Sequence, residues 1–371
     1  MSKRSQYLFL LFIAYAWFQN FSKAILPTHY LSEGLTFSNQ MMGSLMGFLG
    51  EGFLILILSK YSSKLAMRLG IIAWVVNLML VVAIKSDLQF YIASAIGGCS
   101  TYLFLVIYYI AHFNNTKQEN RGISSSLLFV IPTLIGFIAP LIAGYLSQVN
   151  NIWVWIISTL SFAVAFWLVK FQDDFKMEFS FKKSLIELKK TRVLLFIEGV
   201  WETLMFGIIP IYTLFFIKTP LGYGIFLSYI SLVSVLANFA LGKLTDKLKK
   251  RSIFLYPVTI ILAITTIMFV FVTRDIKLWI IAVSVIQFFV PLFWSLATAL
   301  VVDAHPNLKV AMPGRELLLG SGRVFGLLLA YLSFIYEKTP QMIFILLGLT
   351  MFCFPTVLYW NSKVRKIHNY F

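Results

Sequence analysis

The sequence predicts an all-α polytopic membrane protein, with twelve transmembrane helices arranged as two pseudo-symmetric six-helix bundles. Three observations predict it. Of the 371 residues, 59% are apolar and 12% charged, where soluble chains carry about 45–50% and about 25%. The apolar residues gather into twelve runs, near 7–30, 38–59, 69–85, 88–112, 123–146, 151–169, 193–217, 221–242, 253–272, 277–303, 316–336 and 340–360. Lys and Arg divide 24 against five between the alternating sides. Twelve spans of ~20 residues take up about 240. What is left cannot build a sizeable soluble domain, so a soluble enzyme is excluded.

The first run follows Lys3 and Arg4. Ser22-Lys23-Ala24 faintly resembles a signal cleavage site, but the apolar stretch continues through Ile25-Leu26-Pro27, which predicts a retained helix. Connections on one side are short: Lys85-Ser86-Asp87, 147–150, Lys218-Thr219-Pro220 and 273–276. They make neighbouring helices antiparallel. The other side carries the 24 basic residues, which predicts both termini in the cytoplasm of a cell bounded by the protein's own (inner or plasma) membrane. The longest loop, 171–191, holds the amphipathic run Phe181–Lys190. A short helix on anionic lipid is expected there, with a partner site as the alternative. This loop divides the chain into bundles 1–170 and 192–371.

The net charge of +16 suits anionic lipid. Nucleic acid is excluded as a partner because the aromatic residues lie in apolar runs, not basic grooves. Cys99 and Cys353 both fall in apolar runs, so neither a disulfide framework nor a metal site is expected. G-x-x-x-x-G-K-[ST], H-E-x-x-H and G-x-S-x-G are all absent, which argues against nucleotide hydrolysis, against an enzyme and against a cofactor.

A repeat links the halves. Lys60, Lys64, Leu65 and Arg68 recur as Lys243, Lys247, Leu248 and Arg251, 183 residues later. Gly242-x-x-x-Asp246-Lys247, running on to Arg251, resembles the loop signature of the major facilitator superfamily. Gly242 is expected to permit a tight helix exit and Asp246 to cap or pair. In the first-half copy, Ser59 and Ser63 stand in place of the Gly and Asp. Arg121-Gly122 opens the fifth span as is common in that family. Gly136-x3-Pro140-x3-Gly144 resembles the fifth-helix motif of its proton-coupled antiporters, with Ala139 and Ala143 in place of two glycines. The plainer reading of these small residues is close packing. The resemblance implies the superfamily fold: two bundles rocking about a central small-molecule site, working as a monomer, with helices 2 and 11 meeting across the halves.

Ionisable groups inside spans are functional hypotheses by default. Glu198 and Glu202 share one helix face at depths of ~9 and ~15 Å. They are expected to hold a proton or another coupling ion, or alternatively to pair with a Lys, Arg or Tyr. Glu51 and Arg323 are expected to pair across the helix 2–11 seam, as a gate or as a static bridge. Lys23, with Asn20, either reaches outward to the interface or faces the substrate. Trp201 is expected in the cavity wall. Because the resemblance places spans four and ten around the cavity, Tyr102, Tyr109, Phe288 and Trp294 are expected there as stacking surfaces, with core packing as the alternative. Asp303 and His305 are expected in a solvated loop. Secondary transport of a small organic or amphipathic solute, with export favoured, is the function expected. A lipid flippase using Lys23 and Arg323 for a phosphate, and a uniporter or sodium-coupled carrier, are the alternatives.

Overall fold

The computed structural model describes residues 3–58, 60–114, 121–246, 251–305, 307–337 and 341–363. Among these described residues, twelve helices are long and apolar enough to cross a membrane. In the first half they are α1 (Gln6–Ser32), α2 (Phe37–Ile57), α3 (Ser63–Val82), α4 (Asp87–Asn114), α5 (Arg121–Val149) and α6 (Asn151–Phe171). In the second half they are α7 (Arg192–Thr213), α8 (Pro220–Asp246), α9 (Leu255–Val272), α10 (Ile276–Ala304), α11 (Leu308–Glu337) and α12 (Gln341–Lys363). Short polar loops start several of them. Thr36, Ser62, Ser86, Asn150 and Asp275 each accept a backbone N–H as the N-cap of α2, α3, α4, α6 and α10, satisfying donors that a helix start leaves open. The α1–α2 turn needs the positive φ of Gly34, 85°. α1 is broken after Lys23 and resumes at Leu26 with Pro27 in its first turn. α4 and α7 each widen into a π-turn, at Tyr102–Val106 and Leu204–Ile208, a feature frequent at functional sites.

Each half has its own core. Tyr15 stacks on Phe104 in the first, and Trp201, Phe293 and Phe354 pack edge to face in the second. The halves meet chiefly along two helix pairs, α5 with α8 and α2 with α11, and α10 also touches α5. At the first pair, Gly224 lies against the Pro140 carbonyl and Gly144 against Pro220 and Leu221. The Gly136, Pro140 and Gly144 positions therefore build a close backbone crossing. The halves touch near both ends of the seam. Phe37 of α2 stacks on Phe215 beyond α7 at 4.0 Å on one face. On the Lys/Arg-rich face, Val302, Leu308 and Met312 join the core of the first half.

The chain between α6 and α7 straddles that basic face. Strand β1 (Lys60–Ser62) pairs antiparallel with β2 (Lys176–Glu178), Tyr61 opposite Met177. Asp174 accepts from Ser62 Oγ (2.7 Å), Ser63 Oγ (3.1 Å) and the Lys64 N–H (3.3 Å). The Ser62 hydroxyl, then the Lys64 N–H and Ser63, hold its carboxyl below the usual carboxylate range. An acid from the linker thus stands at the start of α3, where the loop itself has Ser63. The expected linker helix forms at Phe181–Glu187; Ser184 Oγ donates to the Val310 carbonyl at 2.8 Å, tying the same linker to α11. Replacing Asp174 with Ala removes three accepted hydrogen bonds at an exposed site. It is expected to cost about 0.5–1 kcal/mol, read as a lowered thermal midpoint that Asp174→Asn partly restores.

Three expectations need correction. α3 begins at Ser63, not 69, because Ser62 and Asp174 satisfy its first N–H groups. α11 begins at Leu308, not 316: Pro313-Gly314 reads as a breaker but lies early in the helix, where the absent Gly314 side chain leaves room for Ser184 and Leu188. α8 runs through Gly242 to Asp246, so Gly242 is no helix exit. Lys247 lies outside the described residues, as do the side chains of Gly242, Asp246 and Arg251.

Candidate functional site

The longer α11 changes the charge map. Arg315, counted on sequence with the basic loops, lies inside a span, beside Glu316. Both side chains are buried, as are Glu51, Glu198, Glu202 and Arg323. These six charges come from three helices, α2, α7 and α11; the ion pairs form between α7 and α11 or within α11, all in the second half, and Glu51 faces them from α2. Arg323 meets Glu202 through Nη2 at 2.6 Å and Nε at 2.7 Å, and Glu316 at 3.8 Å. Arg315 meets Glu316 at 2.5 Å and Glu198 at 3.7 Å, and donates to Thr298 Oγ1 of α10 at 3.3 Å.

The two helices space their charges differently, and Glu316, which meets both arginines, stands between them. Glu198 and Glu202 are one turn apart on α7; Arg315 and Arg323 are two turns apart on α11. The helices lie close because Gly199 faces the Leu319 backbone, and Gly322 faces the Phe196 carbonyl and Val200 N–H. Small residues let backbones approach in lipid. Here they also bring each acid to a base.

The expected Glu51–Arg323 ion pair does not form. α2 and α11 do meet, with Gly52 close to Leu317, but the Arg323 guanidinium is taken by Glu202 and Glu316. Glu51 is left within electrostatic range of Glu316, Arg323, Glu202 and Lys23, with one carboxylate oxygen buried and without a hydrogen-bond partner. Glu198 and Glu202 likewise do not share one another's site; each faces its own arginine. The Arg323 guanidinium is flanked by Phe48 of α2 at 5.1 Å and Phe206 of α7 at 5.2 Å, and Trp294 stacks on Phe206 at 5.7 Å.

The remaining expected residues separate into two groups. Tyr109 is half-buried, within electrostatic range of Glu316 and both arginines, and Trp294 joins the aromatic stack. Phe288, half-buried, packs on Phe289. Tyr102 is also within electrostatic range of Glu51 and Glu316, whereas Trp201 packs inside the second half. Tyr102 is buried in the first-half core and bonds Tyr61 at 2.9 Å. Trp201 is fully buried, its Nε1 donating to Thr266. A single helix does not reveal which face turns inward. Asn20 donates to the Ala16 carbonyl and stands beside Gly136 and Ser231. Lys23 is exposed and lies over the Trp74 ring at 4.6 Å. His305, expected in solvent, is instead buried against Thr191; burial, with Lys190 nearby, pushes it down to about 4. No group of three metal-ligating side chains occurs among the described residues.

Sequence reasoning missed Arg315, Glu316, Phe48 and Phe206. The available signal was the i,i+8 spacing of Arg315 and Arg323, which puts both, with Glu316, on one side of α11.

The fold is similar to that of known transporters. It matches the crystal structure of the human organic anion transporter MFSD10 (TETRAN) at 10% identity, with a TM-score of 0.73 over 96% of this chain and 100% of that one. A POT family transporter in complex with a thioalcohol-conjugated peptide matches at 12% identity and a TM-score of 0.69, over 98% of this chain and 96% of that one. A POT family transporter in complex with 5-aminolevulinic acid matches at 13% and 0.69, over 97% and 96%. At such identities the likeness shows the fold alone. No curated protein matches the sequence. The profile of the Major Facilitator Superfamily matches residues 8–312, most of the chain. With twelve spanning helices in two bundles and this match, the chain belongs to the major facilitator superfamily, a family of transporters.

Proposed function

We propose that the protein moves a small organic or amphipathic solute by proton-coupled alternating access, as a monomer in the cytoplasmic membrane, with its basic face and both termini in the cytoplasm. The observation that carries this is the buried charge network on α2, α7 and α11. Its ion pairs belong to the second half, and Phe48 and Glu51 of α2 face them from the first. Three carboxylates there, Glu198, Glu202 and Glu316, meet two guanidiniums, and a fourth, Glu51, lies within electrostatic range of Arg323; an excess of buried acid is offset by bound protons or by another cation. Glu202 is the firmly paired acid. Glu198 is 3.7 Å from Arg315, with the facing oxygen lacking a hydrogen bond, and is the looser, proton-carrying one. The likeness of Gly136, Pro140 and Gly144 to an antiporter motif supports export.

The test is proton flux in proteoliposomes loaded with a pH dye and challenged with pooled metabolites and amphipathic solutes. Solute-dependent flux is expected in the wild type and is expected to vanish in Glu198→Gln. Solute movement unaccompanied by protons would refute the coupling and leave a uniporter or a sodium-driven carrier.

A further inference from the structure

The charge network holds more acid than base. Even with Lys23 counted beside Arg315 and Arg323, one carboxylate is left over among Glu51, Glu198, Glu202 and Glu316. Both guanidiniums are engaged by carboxylates, with the Arg315 Nε left without a hydrogen-bond partner. The surplus is concentrated at Glu51, 2% exposed, with an oxygen lacking a hydrogen-bond partner. An uncompensated buried carboxylate is costly in a spanning region.

Its surroundings are aromatic and incompletely filled. Phe48 lies one turn before Glu51 on α2, and its ring meets Phe206 edge to face across the seam at 6.4 Å. Phe206 is 44% exposed although it lies mid-span on a helix that is otherwise buried here. Gly320 follows Glu316 by one turn of α11 and precedes Arg323 by three residues. A Cβ built on it would meet nothing within 4 Å, so a gap lies beside the charges. Aromatic faces attract cations. These two rings already flank one, the Arg323 guanidinium.

We propose that this gap is the solute site and that the solute is an organic cation with an apolar body. Glu51 receives the charge, and Phe48, Phe206 and Trp294 hold the body. The inference rests on the transporter reading above and names the substrate class for it.

The test is calorimetric titration of the purified full chain with benzyltrimethylammonium, benzyl alcohol and benzenesulfonate. The cation is expected to bind at least tenfold more tightly than the neutral and anionic probes. Glu51→Gln, with its thermal midpoint checked against wild type, is expected to lose at least tenfold in affinity for the cation. Gly320→Leu fills the gap without removing a charge and is expected to weaken binding similarly. If Glu51→Gln does not fold, the comparison of probes and Gly320→Leu decide. Equal or tighter binding of benzenesulfonate, no saturable binding of benzyltrimethylammonium, or unchanged affinity in the variants would overturn the proposal. Proton flux separates the two readings. Loss of flux in Glu198→Gln without cation preference removes only the substrate class. Cation preference without any solute-dependent flux removes only the coupled-transport reading.

Discussion

Arg323→Leu is expected to destabilise the protein by about 3–5 kcal/mol, the range for breaking a buried ion pair from one side, and to abolish transport. The change removes the guanidinium but leaves Glu202 3% exposed, without the two contacts of 2.6 and 2.7 Å that satisfy it. Glu316 loses its second base at the same time. The cost is the stranded carboxylate more than the lost attraction. The pair Arg323→Leu with Glu202→Leu is therefore expected to recover much of the stability while staying inactive. Thermal unfolding of the two single variants and the double variant, read as a cycle, checks this. A single variant as stable as wild type would mean that Glu202 has no need of Arg323.

Gly224→Leu is expected to cost about 3 kcal/mol or more, the upper range for overpacking. The position is unforgiving because the nearest atoms are backbone: the Pro140 carbonyl oxygen, with the Gly144 Cα at 3.3 Å. A flexible side chain could turn aside, but a helix must move as a whole. The substitution wedges α5 from α8, one of the two main crossings that join the halves. Gly43→Ala makes a useful comparison. There the obstacle is the Phe90 ring, a side chain that can rotate, and a smaller loss is expected. Thermal midpoints of both variants in detergent test the ordering; equal losses would show that the α5–α8 crossing yields more easily than its geometry implies.

The spans, their number and the division into six and six were legible in the sequence because lipid imposes one demand everywhere, about twenty apolar residues whose backbone is satisfied internally. The partners of the buried charges were not. Arg323 has four acids within electrostatic reach, and which it holds depends on how closely α7 and α11 approach, which Gly199 and Gly322 decide. Arg315 was hidden by a local rule. Pro313-Gly314 signals a break in water, but in the early part of a helix packed on its neighbours it is accommodated. Trp201 went astray for want of a facing direction: it lies on a cavity-side helix, yet turns into its own bundle.

The pairing of β1 with β2 bears on how the chain is made. β1 leaves the ribosome more than a hundred residues before its partner. At about 5–20 residues per second it waits roughly 5–20 s for a complement. Throughout that interval the start of α3 lacks the Asp174 acceptor, although six membrane spans have been synthesised by its end. The first bundle thus becomes a finished unit when Glu178 emerges, and not when α6 does. A fragment cut at residue 170 carries every helix of that bundle yet leaves an open strand edge, whereas one cut after Glu178 carries its own closure.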